Sequence, residues 1–194
     1  NGFYAEGITA GIKSNQQKDL ALLYASEPCN FVAKYTQNQL KGESLKWTMD
    51  LLQKNKPFRG LLVNSGNANT AVGDTGYSHA KELACLLANK IQADPEEIYI
   101  ASTGIIGIEL PMDLMRSGIK QFILKQSKGN EFANAILTTD TKAKEIALEL
   151  EYNEKKYVIA GCAKGAGMIH PNLATMLAFL TTDVPIEPKW ANQI

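Results

Sequence analysis

The sequence has no excess of charge of either sign and no long apolar run. Lys plus Arg and Asp plus Glu each number 20, so the formal net charge of the 194 residues is zero. Proteins that bind nucleic acids or membrane surfaces usually carry a basic excess, and a membrane-spanning helix needs roughly 18 or more apolar residues in a row. The composition therefore predicts no nucleic-acid partner and no membrane partner, and the first residues do not resemble a signal peptide.

Cysteine and histidine are scarce. Cys29, Cys85 and Cys162 form no C-x-x-C pair, and the only histidines are His79 and His170. Scattered cysteines are typical of small buried side chains in a reducing cytosol, which predicts a cytoplasmic protein. Zinc sites need clustered Cys and His ligands, and a Ser-His-Asp triad needs a well-placed histidine. The sequence therefore predicts no metal site and disfavours a histidine-based hydrolase.

The common nucleotide-binding and hydrolase motifs are also missing. The stretch GCAKGAGM does not complete the phosphate-binding loop G-x-x-x-x-G-K-[ST], and His170 stands where a dinucleotide fingerprint needs its third glycine. Ser65 in VNSGNAN lacks a flanking glycine of the G-x-S-x-G elbow. The sequence therefore predicts no bound cofactor.

Apolar residues recur with both helical and strand periods. Helices are predicted at 44–54, at 76–91, from Pro111 as the first helical residue, and at 130–137, and strands at 19–25, 31–36, 59–64 and 98–102. Interleaved helices and strands predict an α/β or α+β fold in which sheets pack on helices.

A β-hairpin is predicted near the end of the sequence. Residues 145–152 alternate with period two, residues 153–156 turn the chain, and residues 157–161 return it. Ile146, Leu148, Leu150 and Tyr152 share one face, and the alternate residues form the other face. We expect only that other face to be exposed to water.

The most unusual stretch is AKGAGMIHPNLATMLAFLTTD, residues 163–183. Threonine becomes a useful nucleophile when the peptide bond before it is cut, because its own α-amine, with a pKa of about 7.7–8.0, then acts as the base. Glycines before Thr175 would let the loop strain or reorient the amide that is cut, and the apolar residues 176–180 would anchor the new terminus in a sheet. The alternative is a surface loop that enters a core strand, with Thr175 as a capping or strand residue.

Two further polar stretches could serve the same chemistry. In IYIASTG, the Thr103 hydroxyl and the Gly104 N–H could stabilise an oxyanion, or Gly104 could simply satisfy a tight turn. In ILTTDTKAKE, the threonines and Asp140 could bind the polar groups of an amino acid, or could cap the preceding helix. Lys164 could pair with a substrate carboxylate, or could be solvated as loop lysines usually are.

Taken in order, five segments resemble the ornithine acetyltransferase family, the bifunctional glutamate N-acetyltransferases of arginine biosynthesis. The segments are NGFYAEGITAGIK, VNSGNANTAVGDTG, ASTGIIGIELPMD, TTDT and AKGAGMIHPNLATMLAFLTTD. The resemblance extends to about Asp183 and implies a layered helix–sheet–sheet–helix sandwich, like that of N-terminal nucleophile enzymes, with the nucleophile at the start of a core strand.

The resemblance implies self-cleavage between Ala174 and Thr175, after which Thr175 is the catalytic nucleophile. Thr175 would take the acetyl group from N2-acetylornithine as an acyl-enzyme and pass it to glutamate, and some members also accept acetyl-CoA. The oxyanion pair of the family corresponds to Thr103 and Gly104.

The substrate-binding residues of the family correspond to Thr138 and Lys164, together with Thr175. If the polar cluster is shifted by one residue, Thr139 takes the place of Thr138.

The resemblance also implies a division of the chain. Residues 1–174 correspond to an α chain and residues 175–194 to the start of a β chain, and family members are about twice as long and assemble as α2β2 heterotetramers. The sequence alone is therefore expected to be inactive, since the remaining substrate contacts belong to the β chain. Two alternatives stay open: a self-processing threonine amidase or aminopeptidase with water as the acceptor, and an inactive fragment or assembly subunit.

Overall fold

Two sheets, five α-helices and one short 3₁₀ helix (Pro95–Glu97) are found in the computed structural model, which describes residues 2–166 and 176–193. The larger sheet contains β1 (Phe3–Ile8), β2 (Leu20–Cys29), β3 (Phe58–Asn67) and β4 (Ile98–Ile105), and the smaller sheet contains β5 (Lys144–Tyr152), β6 (Lys155–Lys164) and β7 (Leu177–Thr182). The helices are α1 (Glu43–Gln53), α2 (Asp74–Ile91), α3 (Met112–Gln121), α4 (Gly129–Ala135) and α5 (Pro188–Ala191). The predicted mixed α/β class is confirmed.

The larger sheet brings two of the polar motifs together. β1, β2 and β3 are antiparallel, whereas β3 and β4 are parallel and are joined through α2. The carboxyl ends of parallel strands meet at one edge of a sheet, and here Ser65 pairs with Thr103 and Gly66 with Gly104. VNSGNAN and ASTG therefore lie side by side at this edge.

Helices cover both faces of the larger sheet. A Cβ built on Gly60 would lie 3.0 Å from Ile91 Cδ1, which shows how closely α2 packs on β3. Ser65 points to the opposite face of the same strand, because its position differs from that of Gly60 by an odd number. Its hydroxyl donates to the carbonyl of Ala135 in α4 at 2.6 Å. The core lies between these layers.

The smaller sheet carries the chain to and from the glycine-rich stretch. The hairpin between β5 and β6 turns at Asn153 and Glu154, whose φ values of 50° and 61° are those of a two-residue type I′ turn. β7 pairs antiparallel with β6, with Leu177 opposite Lys164. The Phe179 ring packs edge-on against Phe132 of α4 at 5.6 Å. The apolar residues 177–180 therefore enter a sheet as predicted, while the new terminus that they would anchor stays a prediction.

Three details of the prediction are wrong. Residues 31–36 form no strand, because the apolar side chain of Phe31 stacks on Phe58 and Tyr99 instead of alternating along a sheet. α3 begins at Met112, one residue later than predicted, and Pro111 is its N-cap rather than its first helical residue. Every residue of β5 is exposed, including the apolar face, with Ile146 64% exposed, because no described segment covers it.

The cysteines are free thiols, and each is half-buried rather than fully buried. Burial raises the pKa of the Cys162 thiol to about 11, so that this side chain is a neutral, unreactive thiol at physiological pH. In the described ranges 2–166 and 176–193, no helix combines the length and the apolar character that crossing a membrane requires.

Candidate active site

Three of the predicted site residues meet where the two sheets touch. The Lys164 ammonium, at the end of β6, donates to Thr103 Oγ1 of β4 at 2.6 Å. A longer contact of 3.4 Å joins Lys164 Nζ to Thr138 Oγ1, in the segment after α4. Lys164 is only 1% exposed, so its interpretation as a solvated loop lysine is wrong. The structure brings Thr138, and not the exposed Thr139, to this ammonium.

The Lys164 ammonium lies in an environment that disfavours its charge. Burial lowers the pKa of Lys164, the carboxylate of Asp140 opposes this effect, and the charge of Lys13 adds to it. An ammonium has three N–H donors, and the two acceptors seen in the described part of the chain are hydroxyls. Within residues 2–166 and 176–193, one donor therefore stays available for a further acceptor, such as a carboxylate or a carbonyl oxygen.

The Thr103 hydroxyl is positioned to act as a polarised donor. It accepts a hydrogen bond from Lys164, and a hydroxyl that accepts can still donate its own proton. A nearby positive charge makes that proton a stronger hydrogen-bond donor. Thr103 is 7% exposed, so this donor works in a largely water-free environment.

Gly104 is required by the backbone of the site. Its φ of 139° is rarely adopted by other residues, and a Cβ built on it would lie 2.3 Å from the carbonyl carbon of Gly66. The ends of β3 and β4 therefore approach each other more closely than a side chain permits. Gly104, which lies within β4, is thus required by its φ and by the close approach of two strands, and not by the tight turn expected from the sequence, while its N–H as an oxyanion donor stays a prediction.

We expect Gly104→Ala to destabilise the protein by about 2–4 kcal/mol, because it combines a backbone clash with an unfavourable φ. Urea unfolding followed by circular dichroism measures the loss. Gly107→Ala is the matched control, since Gly107 also has a positive φ of 78° but a Cβ added there would have no atom within 4 Å. We expect the control to lose about 1 kcal/mol, and equal losses in the two variants would contradict this account.

A hydrogen-bonded network of asparagines behind the site was not predicted from the sequence. The Asn67 amide donates to the carbonyls of Ile108 and Glu109, each at 3.0 Å, and its oxygen accepts from the N–H of Asn69. The Asn69 amide in turn donates to the carbonyl of Gly76 at 2.9 Å. These bonds hold the loop after β4 against the end of β3. The closely spaced asparagines of VNSGNAN were the available signal.

Asp19, a second residue that was not predicted from the sequence, holds the turn that follows β1. Asp19 is fully buried, and its carboxylate accepts the backbone N–H groups of Ala10, Gly11 and Lys13 at 2.6, 3.1 and 3.0 Å. The turn that results places the Lys13 side chain against Gly66, where a Cβ would lie 3.2 Å from Lys13 Cγ. An aspartate at the start of an apolar strand was the signal for such a role.

The other predicted site residues fall outside the described residues. Thr175, Ala174 and His170 belong to the range 167–175, so the nucleophile, the cleavage bond and the division of the chain at 174/175 stay predictions. The described segments on either side of this range are β6, which ends at Lys164, and β7, which starts at Leu177.

Comparison with known proteins gives consistent matches. The model of the ArgJ family matches residues 4–194. The arginine biosynthesis bifunctional protein ArgJ of Oceanobacillus iheyensis is 41% identical over 186 residues, which is 96% of this chain and 46% of that protein. The protein of the same name from a Synechococcus strain is 44% identical over 190 residues, covering 97% of this chain and 46% of its own length. The chain thus spans about half the length of the curated relatives that it matches.

Two crystal structures have the same fold. That of the arginine biosynthesis bifunctional protein ArgJ of Bacillus halodurans aligns with a TM-score of 0.82 and 34% identity, over 91% of this chain and 92% of that chain. That of the ornithine acetyltransferase of Mycobacterium tuberculosis, complexed with ornithine, aligns with a TM-score of 0.79 and 34% identity, over 89% and 93% of the two chains.

Proposed function

Because this chain belongs to the ArgJ family, we propose that it contributes to an acetyltransferase that moves an acetyl group from N2-acetylornithine to glutamate. The observation that supports this most is the 2.6 Å contact between the Lys164 ammonium and the Thr103 hydroxyl. Acyl transfer develops negative charge on a carbonyl oxygen, and preorganised donors in a dry site stabilise that charge. A buried cation behind a hydroxyl suits this task.

The proposed reaction begins with self-cleavage. The Thr175 hydroxyl attacks the carbonyl carbon of Ala174, and the acyl chain moves from nitrogen to oxygen, which gives an ester. This shift breaks the C–N bond and frees the α-amine of Thr175; water then hydrolyses the ester, which gives Ala174 a carboxylate and restores the Thr175 hydroxyl. That amine is the proposed base for turnover.

Turnover then follows a ping-pong scheme. The amine of Thr175 accepts the proton of its own hydroxyl, and Oγ1 attacks the acetyl carbonyl of N2-acetylornithine. The Thr103 O–H and the Gly104 N–H would hold the oxyanion. Ornithine leaves with the proton, and an acetyl ester remains on Thr175. The amine of glutamate attacks this ester, which releases N-acetylglutamate and restores Thr175.

The strand pairing supports this assignment. β7 starts two residues after Thr175 and pairs with β6 at the position of Lys164, which itself contacts Thr103. The nearness of Leu177 to Thr175 in the sequence supports the proposal that Thr175 acts at the cluster that would bind the oxyanion. In the proposal, Thr138 and Lys164 contact the polar groups of the substrate.

We also propose a partner chain, a cytosolic location and a second acetyl donor. An α2β2 heterotetramer would supply a β chain, and the exposed apolar face of β5 supports a covering polypeptide, because large exposed apolar surfaces usually mark interaction sites. Free thiols at all three cysteines fit a reducing cytosol. Acetyl-CoA as a second donor remains part of the proposal without a feature that favours it.

A labelling experiment on the complete natural protein, with any partner chain, tests the function. With N2-acetylornithine labelled in its acetyl group, we expect the label to move to glutamate and unlabelled ornithine to appear. Labelled free acetate that forms without glutamate would instead identify a threonine amidase. No transfer of label to either product would favour an inactive assembly subunit.

A further inference from the structure

Asp140 is a buried carboxylate to which the proposed mechanism gives no role. Its side chain is 1% exposed. Oδ1 accepts from the N–H of Gly165 at 2.9 Å and from the Lys144 ammonium. Oδ2 is buried and has no hydrogen-bond partner among the described residues. A buried charge is costly unless its oxygens are paired, so the hydrogen bonds seen here do not by themselves explain a carboxylate at this position.

Asp140 and Lys144 together form hydrogen bonds with both backbone polar groups of Gly165. Asp140 accepts the Gly165 N–H, and Lys144 donates to the Gly165 carbonyl at 3.2 Å. Gly165 has a φ of 145°, which favours glycine. It is the first residue after β6, where the chain enters the stretch that leads to Thr175 in the sequence. The direction in which the chain leaves the sheet is therefore fixed at this residue.

Asp140 also acts on the cluster through its charge. Its Oδ1 accepts from the N–H of Gly165, the residue after Lys164, and the Lys164 ammonium contacts Thr138, two residues before Asp140. From this position the carboxylate opposes the effects of burial and of Lys13, which lower the pKa of Lys164. The pKa of Asp140 itself reflects burial, which raises it, and the larger combined effect of Lys144, Gly165 and Lys164, which lowers it. Asp140 therefore carries its negative charge at neutral pH, close to two cations.

We propose that Asp140 is a positioning residue with two separable effects on acetyl transfer. As an acceptor it fixes Gly165 and so the approach of the chain to the Ala174–Thr175 bond, and as an anion it balances the Lys164 ammonium behind Thr103. The inference rests on the proposed function, since both effects act on its chemistry.

Two substitutions in the complete natural protein separate the effects. Asp140→Asn keeps an oxygen for the Gly165 N–H but removes the charge, whereas Asp140→Ala removes both. We expect the Asn variant to cleave itself within about twofold of the wild-type rate and the Ala variant to cleave at least about tenfold more slowly, since a lost charged hydrogen bond is worth roughly a factor of ten or more. The intact and cleaved chains are quantified by mass spectrometry over time.

The pH profile of kcat/KM tests whether the negative charge of Asp140 stabilises the Lys164 ammonium. When the negative charge of Asp140 is removed, the Lys164 ammonium loses its proton at lower pH. We therefore expect the basic limb of the profile to move to lower pH by about one unit in the Asn variant. The acidic limb, which belongs to the α-amine of Thr175, should stay in place. Asp113→Asn is the control, because Asp113 is 98% exposed and pairs with Arg116 on the surface; we expect no change in either limb.

The outcomes are distinguishable. An Asn variant with an unchanged basic limb contradicts the charge effect, and an Ala variant that cleaves at the wild-type rate contradicts the positioning effect. If Asp140→Ala does not fold, as thermal unfolding would show, the profile of the Asn variant decides. Failure of the wild-type protein to cleave or transfer acetyl would refute the proposed function itself, whatever the variants do.

Discussion

Thr175→Ala is expected to abolish both self-cleavage and acetyl transfer in the complete natural protein. One hydroxyl is assigned the attack on the Ala174 carbonyl and the attack on the acetyl group, and alanine has no atom that replaces it. Loss of a covalent nucleophile costs on the order of a millionfold in kcat in the best-studied acyl-transfer enzymes. The intact mass of the protein and the transfer of labelled acetyl to glutamate measure the two losses.

Thr75→Ala is a suitable control for this substitution. Thr75 is exposed near the start of α2, and the change is chemically identical to that at position 175. We expect the control to process itself and to turn over normally. An uncleaved Thr175→Ala protein that still transfers acetyl would refute Thr175 as the nucleophile, whereas an inactive control would show that the assay responds to general damage.

Thr103→Val is expected to lower kcat by roughly 100- to 1000-fold with a much smaller effect on KM, because it removes a donor that acts in the transition state. Valine has nearly the same shape as threonine, so the packing between β4 and β6 is retained. The change also removes the acceptor of the Lys164 ammonium, which should destabilise the fold by about 1–3 kcal/mol. Steady-state kinetics and urea unfolding measure the two effects.

Two control variants separate catalysis from stability at this position. Thr103→Ser keeps the hydroxyl and should recover most of kcat. Thr48→Val removes another buried hydroxyl, which donates to the carbonyl of Ile100 at 2.8 Å away from the cluster; it should lose stability while kcat stays near wild type. A Thr103→Val enzyme with a raised KM and normal kcat would instead show that Thr103 binds the ground state.

The fold was predictable from the sequence where local periodicity and burial agree. The helix predicted at 76–91 is such a case: Ala80, Leu83, Ala84 and Leu87 have the spacing of one helical face, and all four are buried in α2. The period-two pattern of residues 145–152 likewise predicted β5, but it could not predict what covers the apolar face. Periodicity reports which residues point the same way, whereas exposure depends on segments that are distant in sequence.

The candidate site was predictable in its residue types and less so in its environment. The resemblance named Thr103, Thr138 and Lys164, and the structure places them in contact. The burial of Lys164 was not evident, because a lysine beside glycines is usually solvated and only the packing of two sheets excludes water here. Asp19 was missed for a different reason, since its partners are backbone N–H groups and its position at the start of an apolar strand was the only signal.

The mass of the peptide that begins at Thr175 tests the central claim most directly. The complete natural protein is incubated with N2-acetylornithine, quenched, digested and analysed by tandem mass spectrometry. We predict a chain that starts at Thr175 and carries one acetyl group on that residue, which disappears when glutamate is added before the quench. Full transfer activity with the 174–175 bond intact, or an acetyl group that accumulates on another side chain and is passed to glutamate, would contradict the account.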